Sequence, residues 1–127
     1  MDGTVDPKLT HAVIGCAYQV YNTLGTGYRE AYYQRALAEE FLHKSISFRR
    51  EVKTPLYYHK KIIGQYFIDF IVENKLVIEL KAHDSVRNKD LAQILGYLKR
   101  TQLTLGLLLL FGSDGVVVKR VILSSDL

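Results

Sequence analysis

The sequence predicts an α/β (α+β) domain with a mixed β-sheet flanked by helices, in the element order ααβββαββ. Three segments repeat apolar residues at three- and four-residue steps, the spacing of one helix face. Three consecutive segments alternate instead and are rich in β-branched and aromatic residues, as strands are. A nearly continuous apolar run then predicts a strand buried on both faces. Since 127 residues is an ordinary domain size, we expect a single domain over residues 1–127.

Composition excludes several classes of protein. The net charge of +4 is a mild excess, compatible with a phosphate-bearing partner. Cys16 is the only cysteine, which excludes an internal disulfide and favours a reducing, cytoplasmic location. Residues 1–6 lack the basic and apolar parts of a signal peptide, and the longest apolar run, 103–111, is far shorter than the roughly 20 residues that span a bilayer. We therefore expect no membrane span.

The first two elements are predicted helices. Asp6 is placed to cap the first, Pro7 suits its first turn and Gly25 suits its end. Its apolar stripe comprises Leu9, Ala12, Val13, Cys16, Ala17, Val20 and Leu24. A second helix is predicted over residues 30–43, after a turn at 25–27. Its stripe comprises Tyr33, Leu37, Ala38, Phe41 and Leu42.

Three strands follow, over residues 48–58, 62–72 and 76–81. The short separators, 59–61 and 73–75, favour an antiparallel meander with Pro55 near an edge or bulge. Loop length decides which residues face each other, because a shift of one residue reverses every side chain. A three-residue turn at 73–75 pairs residue 72 with 76 and places Asp69 opposite Glu79, whereas a two-residue turn places Asp69 opposite Leu80. We predict the three-residue turn or an equivalent bulge.

The remaining elements are a helix over residues 89–100, a strand over 104–111 and, after a turn at 112–115, a final strand over 116–123. The helix is long enough for a right-handed crossover. We therefore expect the strand at Leu105 to lie parallel to the strand at Val77.

Charged residues interrupt the otherwise apolar hairpin of the second and third strands. Glu79 and Lys81 share one face of their strand, and the three-residue turn brings Asp69 beside Glu79. Two carboxylates about 4 Å apart repel by roughly 4 kcal/mol at an effective dielectric of about 20, so a cation or a raised pKa must compensate. Mg²⁺ or Mn²⁺ held there could polarise a phosphate and activate water, with Lys81 orienting that water. The alternative from spacing alone is a Glu79–Lys81 salt bridge at a sheet edge, with Asp69 in solvent.

The chain resembles the PD-(D/E)XK nuclease superfamily. Asp69 with residues 79–81 looks like its D...ExK signature, and Gly27, Glu30 and Tyr33 match the GxxExxY motif of a small bacterial and archaeal family within it. The resemblance runs from about residue 11 to residue 123. It implies a restriction-endonuclease-like core, a divalent metal ion and a nuclease role that is inferred for most members.

The resemblance also implies roles for particular residues. The metal-binding acids are Asp69, Glu79 and Glu30, and the catalytic residues are Lys81, Glu79, Asp69, Gln93 and Tyr97. Gln93, Tyr97 and Arg100 recur at i, i+4 and i+7, opposite the apolar stripe of the third helix, and can approach a phosphate there. The alternatives are a helix-dipole role for Glu30 and a solvated polar face for the other three. Three positions depart from the pattern expected of relatives: Ile68, Gly96 and Leu110.

Basic and aromatic residues concentrate in the first hairpin. We expect nucleic acid to contact Arg49, Arg50, Lys53, Lys60, Lys61 and Arg100, with Tyr57 and Tyr58 available for stacking on bases. An edge strand guarded by lysines explains the same residues equally well.

The leading hypothesis is a divalent-metal-dependent nuclease that hydrolyses DNA or RNA phosphodiesters. The alternative is a noncatalytic nucleic-acid or protein interaction module with the same fold. A third hypothesis is a homodimer whose second copy completes the site, or a separate partner that supplies specificity.

Overall fold

The computed structural model describes residues 5–124, and their elements follow the predicted order. The helices are α1 (Pro7–Leu24), α2 (Glu30–His43) and α3 (Asn88–Thr101). The strands are β1 (Phe48–Tyr58), β2 (Lys61–Val72), β3 (Leu76–Lys81), β4 (Leu105–Phe111) and β5 (Val116–Ile122). Residues 1–4, part of the segment interpreted as lacking a signal peptide, and residues 125–127 lie outside the described residues.

The strands form one mixed sheet in the order β1-β2-β3-β4-β5. The β3–β4 pair is parallel and the other pairs are antiparallel. Helix α3 connects the parallel pair, whose register sets Val77 beside Gly106, as expected from the crossover. A Cβ atom on Gly106 would lie 2.7 Å from Ile94 Cδ1, so the close approach of α3 to the sheet requires glycine there. The predicted fold class is confirmed.

Capping signals set the limits of α1. The Asp6 side chain accepts a hydrogen bond of 2.9 Å from the Lys8 amide, and Pro7 opens the helix. Gly25 ends it with a φ of 78°, which glycine adopts without strain. Both predicted ends of α1 are therefore confirmed.

Helices cover both faces of the sheet. One core cluster joins α1 and α2 to residues such as Phe70 and Ile78, and it includes Cys16, which packs as a small apolar side chain. The other joins α3 to Ile68, Ile71, Val77 and Val121. Within residues 5–124, none of the helices has the length and apolar character needed to cross a membrane.

Tyr97 corrects one expectation about α3. It was placed on a polar face opposite the apolar stripe, but its side chain is buried with Ile94 and Leu98 in the second core cluster. The reason is helical geometry: Tyr97 follows Ile94 by three residues, so the two lie on neighbouring parts of the same face.

The first hairpin is tighter than predicted. Strand β2 begins at Lys61, and His59 and Lys60 form a two-residue turn with φ values of 48° and 67°. Two-residue turns with positive φ match the twist of the flanking strands. Pro55 lies in the edge strand β1, next to a register shift between Leu56 and Tyr57, as its position predicted.

The second hairpin has the predicted register. Val72 pairs with Leu76 across the three-residue turn, and the ladder between β2 and β3 ends at Phe70 and Ile78. Residues 61–68 of β2 therefore continue past the sheet with β1 as their partner strand. We call the ribbon formed by residues 53–67 the β1–β2 arm.

Candidate functional site

Two buried carboxylates lie where the β2–β3 ladder ends. The side chains of Asp69 and Glu79 belong to residues only 7% and 3% exposed. The Asp69 amide donates to Glu79 Oε1 over 3.4 Å, and Asp69 Oδ2 accepts from the Leu80 amide over 2.8 Å. The Asp69 carboxylate thus bonds a backbone amide just beyond the last paired residues. The register prediction correctly brought these two acids together.

The strands are irregular at this point. Regular alternation would put Ile68 on the same face as Phe70, yet Ile68 packs against the α3-side cluster and Phe70 against the other. On β1, Glu51 lies opposite Asp69, between the pairs Arg50–Phe70 and Val52–Ile68, and has a φ of 53°. Asp69 therefore stands where β2 changes its orientation.

The buried acids resist ionisation. Burial raises the pKa of Glu79 to about 9, with a further increase from the Asp69 charge and an opposing effect from Lys81. Burial also raises the pKa of Asp69, although the Leu80 amide and the Gln34 side chain favour its charged form. The folded chain therefore favours a proton or a nearby cation at this pair.

Lys81 supplies a positive charge beside the carboxylate pair. Its Nζ atom lies 3.7 Å from Glu79 Oε2, and its side chain is partly exposed. The salt-bridge alternative is correct about this ion pair. It is wrong in placing the pair at a sheet edge and Asp69 in solvent, because β3 is the central strand and Asp69 is buried.

The GxxExxY residues position the start of α2. Gly27 has a φ of 98°, and the Tyr33 hydroxyl donates to the Gly25 carbonyl over 2.6 Å. The Tyr33 ring stacks on Phe111 at 4.5 Å, which ties this turn to β4. Glu30, the first residue of α2, is half-buried, and burial followed by the charge of Asp69 raises its pKa. It thus lies within electrostatic reach of the carboxylate pair.

A hydrogen-bonded network not predicted from the sequence surrounds Asp69. The amide nitrogen of Gln34 donates to Asp69 Oδ1 over 2.8 Å and to Glu51 Oε1 over 3.0 Å. Arg50 Nε donates to Gln34 Oε1, the side-chain amide oxygen, over 3.0 Å. Two features of the sequence could have indicated this network. Gln34 follows Glu30 by four residues and shares its helix face. The register of the first hairpin sets Glu51 opposite Asp69.

A cleft of about 470 Å³ opens beside Lys81, between the arm and α3. Gln93 and Arg100 both line it, as the helical spacing predicted. Arg100 Nε donates to Thr54 Oγ1 over 3.0 Å, and its guanidinium lies 5.2 Å from the Tyr66 ring centre and 5.6 Å from that of Tyr97. Arg100 is therefore held against the arm rather than free in solvent.

The other basic residues do not converge on the carboxylates. Arg49 and Lys53 are exposed on the edge strand and line a second groove, while Lys60 and Lys61 are exposed at the arm tip. Of the first-hairpin residues predicted to bind nucleic acid, Arg50 alone makes a contact within the Gln34 network among residues 5–124. The five basic residues of the first hairpin, which are close in sequence, therefore lie in three separate places: the second groove, the arm tip and the Gln34 network.

Asp90 is a further acid near the site. It is buried, accepts from the Arg87 amide over 3.1 Å and lies 3.3 Å from His83 Nε2. Its charge contributes to the raised pKa of Glu30. The signal in the sequence was an acid in the first turn of α3, where an acid commonly caps the helix.

The donor set suits a hard divalent cation. Within the described part of the chain, no three His, Cys, Asp or Glu side chains are arranged to hold a metal ion together. Mg²⁺ nevertheless needs only one or two protein carboxylates, because it keeps several waters and also binds substrate phosphates. Asp69 and Glu79 offer two neighbouring carboxylates whose repulsion such an ion would relieve.

Comparison with known proteins concerns the family and the fold. The profile of the PD-(D/E)XK nuclease superfamily matches residues 7–121. A crystal structure of a protein named SSO0001 aligns with a TM-score of 0.57 at 17% identity, covering 94% of this chain and 59% of that one. This likeness concerns the fold, and the chain spans about three fifths of that protein's length. No curated protein matches the chain.

Proposed function

The chain belongs to the PD-(D/E)XK nuclease superfamily, and from that premise we propose that it is a divalent-metal-dependent nuclease acting on DNA or RNA phosphodiesters. The observation that supports this most is the meeting of Asp69 and Glu79 at the end of one ladder, with Lys81 beside them. We also assign the chain to the GxxExxY family, because Gly27 and Tyr33 shape the turn that brings Glu30 towards the acids.

Superfamily members generally use divalent metals. In this chain Asp69 and Glu79 would hold Mg²⁺ or Mn²⁺, with Glu30 as a third acid. Such an ion, when bound, would polarise the phosphate and lower the pKa of a bound water. The Gln34 amide, fixed by Arg50, would keep the Asp69 carboxylate oriented towards that position.

Two side chains that line the cleft, Lys81 and Gln93, would act on the substrate, and the buried Tyr97 would support them. The Lys81 ammonium is placed to balance negative charge that develops on the phosphate. Burial and the nearby Glu79 charge raise the pKa of Tyr97, so its hydroxyl would stay protonated and serve as a donor. Gln93 lines the same cleft as Lys81 and offers a neutral amide to a phosphate or water.

Nucleic acid is the partner that the superfamily implies. Arg49, Lys53, Lys60 and Lys61 would contact its backbone away from the acids, while Arg50 and Arg100 would act close to them. A cytoplasmic location and a second copy or specificity partner stay predictions.

One observation favours a noncatalytic binding module as the second candidate. Both carboxylates already have partners within the protein. Asp69 accepts hydrogen bonds from the Leu80 amide and from Gln34, and Glu79 pairs with Lys81. In such a module these contacts would serve stability alone, and the site would take up no ion.

Metal binding separates the two candidates. We expect calorimetric titration with MnCl₂ or MgCl₂ to show binding in the wild type that Asp69→Asn and Glu79→Gln abolish. Glu39→Gln, which removes an exposed acid from α2, is the matched control and should bind as the wild type does. A wild type that takes up neither ion would contradict the metal site.

Cleavage tests the reaction itself. With labelled DNA and RNA oligonucleotides in Mg²⁺, we expect Lys81→Ala to lower the rate about 100-fold or more while ion binding persists. Loss of cleavage without loss of ion binding would assign Lys81 to the chemistry. If the wild type cuts no nucleic acid in a broad screen and Lys81→Ala changes nothing, the nuclease assignment is wrong.

A further inference from the structure

The β1–β2 arm begins at the carboxylate site and extends away from the sheet. The β2–β3 ladder stops at Phe70, whereas the β1–β2 ladder continues to the pair Tyr58–Lys61. A two-stranded ribbon is marginally stable unless something packs against it. Any strand of substrate that reaches Asp69 and Glu79 therefore passes close to the base of this arm.

The distal part of the arm carries large apolar side chains in solvent. The exposed fractions of Tyr57, Tyr58, Ile62 and Ile63 are 57%, 64%, 60% and 62%. Tyr57 pairs with Ile62 across the ribbon, and Tyr58 and Ile63 occupy the neighbouring positions, so both faces of the ribbon carry exposed apolar side chains. An exposed apolar surface of this kind typically marks a binding site.

The charge of the arm indicates the chemistry of its partner. Residues 52–68 contain Lys53, Lys60 and Lys61 and no aspartate or glutamate. Lys60 occupies the turn with a φ of 67°, a conformation that glycine or asparagine adopts at lower cost. The turn therefore presents a cation where a standard turn residue would be more stable, which favours an anionic partner.

The proximal part of the arm is held firmly against α3. The Tyr66 and Tyr97 rings meet edge to face at 6.2 Å, and Arg100 bridges both elements through Thr54. The direction of the arm relative to Lys81 is thus set by packing.

A second copy of the chain is a poor partner for this surface. Pro55 removes an N–H from the edge strand, and the register shift beside it disrupts the edge that strand pairing would need. Two arms related by symmetry would also bring their lysines together.

We propose that the arm binds single-stranded nucleic acid, with Tyr57 and Tyr58 stacking on unpaired bases and Lys60 and Lys61 contacting phosphates. This rests on the proposed function and narrows its substrate class to strands with unpaired bases. Aromatic side chains stack on any base whose face is free, whereas the bases of a duplex stack on each other.

Binding without metal tests the arm apart from the reaction. In EDTA, fluorescence anisotropy would follow a labelled thymidine oligonucleotide of roughly 20 nucleotides, enough for the site sizes of single-strand binders, and the same oligonucleotide in a duplex. We expect Tyr57→Ala/Tyr58→Ala to weaken single-strand binding at least about tenfold and duplex binding less than about twofold. Tyr57→Phe/Tyr58→Phe should restore the wild-type affinity, because the rings persist.

The matched control is Tyr18→Ala/Tyr32→Ala, which removes two exposed tyrosines from α1 and α2. Equal losses in this control, equal losses for duplex and single strand, or no single-strand binding by the wild type would each overturn the proposal. So would a wild-type dimer, seen by light scattering, that the arm variant converts to a monomer. Absence of cleavage in Mg²⁺ with the tyrosine-dependent binding intact would instead contradict only the nuclease assignment.

Discussion

Both halves of β2 are rich in apolar residues, but their surroundings are opposite. Phe70, Ile71 and Val72 are at most 2% exposed and pair with β1 and β3. Phe67 and Ile62 are equally apolar, yet they are 45% and 60% exposed in the ribbon formed with β1. Asp69 lies between the halves. Apolar character alone therefore did not decide burial; cover by neighbouring elements did. Ile68 lies beyond the β2–β3 ladder and is still buried, because it packs with α3.

The position of the acids follows from this difference. Where a strand loses one neighbour, backbone amides lose their ladder partners, and a side chain has to satisfy them. The Asp69 carboxylate does so for Leu80. The end of the ladder is thus a place where the sheet can hold a buried acid that still lies next to open surface.

The largest expected effect comes from phenylalanine-to-alanine changes in the two halves. Phe70→Ala should lower the free energy of unfolding by about 3–5 kcal/mol, because it leaves a cavity in the core. Phe67→Ala should cost under about 1 kcal/mol, since its side chain is half in solvent. Urea denaturation measures both. Equal losses would show that the arm is packed as tightly as the sheet.

The buried carboxylate of Glu79, beside Asp69, should make stability depend on pH. The folded-state pKa of Glu79 is about 9, above its ordinary 4.5, so between these values the folded chain keeps a proton that the unfolded chain loses. Stability should therefore fall as the pH rises through this window, by at most about 1.4 kcal/mol per pH unit from one group. Thermal unfolding from pH 5 to 9 without metal checks this.

Glu79→Gln should flatten that pH profile, and the Glu39→Gln control should leave it as in the wild type. A wild-type stability that rises between pH 5 and 9 would contradict the raised pKa of Glu79.

A pair of glycine substitutions tests how the arm is anchored. A Cβ on Gly96 would lie 3.3 Å from an Arg100 guanidinium nitrogen, whereas one on Gly15 in α1 meets nothing within 4 Å. Gly15→Ala should stabilise the fold by up to about 1 kcal/mol through helix propensity. Gly96→Ala should gain less, because it displaces Arg100 from Thr54 and Tyr66. A similar gain in both, by thermal unfolding, would show that the Arg100 contacts contribute little.

The smallest effect is expected at the arm tip. Lys60→Gly should stabilise the protein by under about 1 kcal/mol, since glycine relieves the left-handed conformation at the cost of unfolded-state entropy. Oligonucleotide binding in the same variant should weaken, because a phosphate contact is lost. A variant that is less stable and binds as well as the wild type would contradict both roles of Lys60.

Much of the fold could be predicted from local signals. The Asp6 cap and the Gly25 end of α1 depend on neighbouring residues, and the three-residue turn alone sets Asp69 beside Glu79. Among the other elements, those predicted over residues 30–43, 48–58 and 76–81 have the observed bounds. The remaining ones differ by one residue at one or both ends, as at Lys61, where the backbone rather than the side-chain pattern decides.

The parts that were missed depend on contacts distant in sequence. Gln34 and Glu51 joined the site because α2 packs over the point where β2 changes orientation. Tyr97 became part of the core because α3 lies close to the sheet over Gly106.

Periodicity, capping residues and turn length were sufficient to determine the order of elements, the register of the second hairpin and the meeting of Asp69 and Glu79, since each acts within a few residues of chain. Which apolar residues are buried, which basic residues reach the acids and where the arm leaves the sheet were decided only in the folded chain. Those outcomes depend on which elements become neighbours, and burial and desolvation are properties of that neighbourhood.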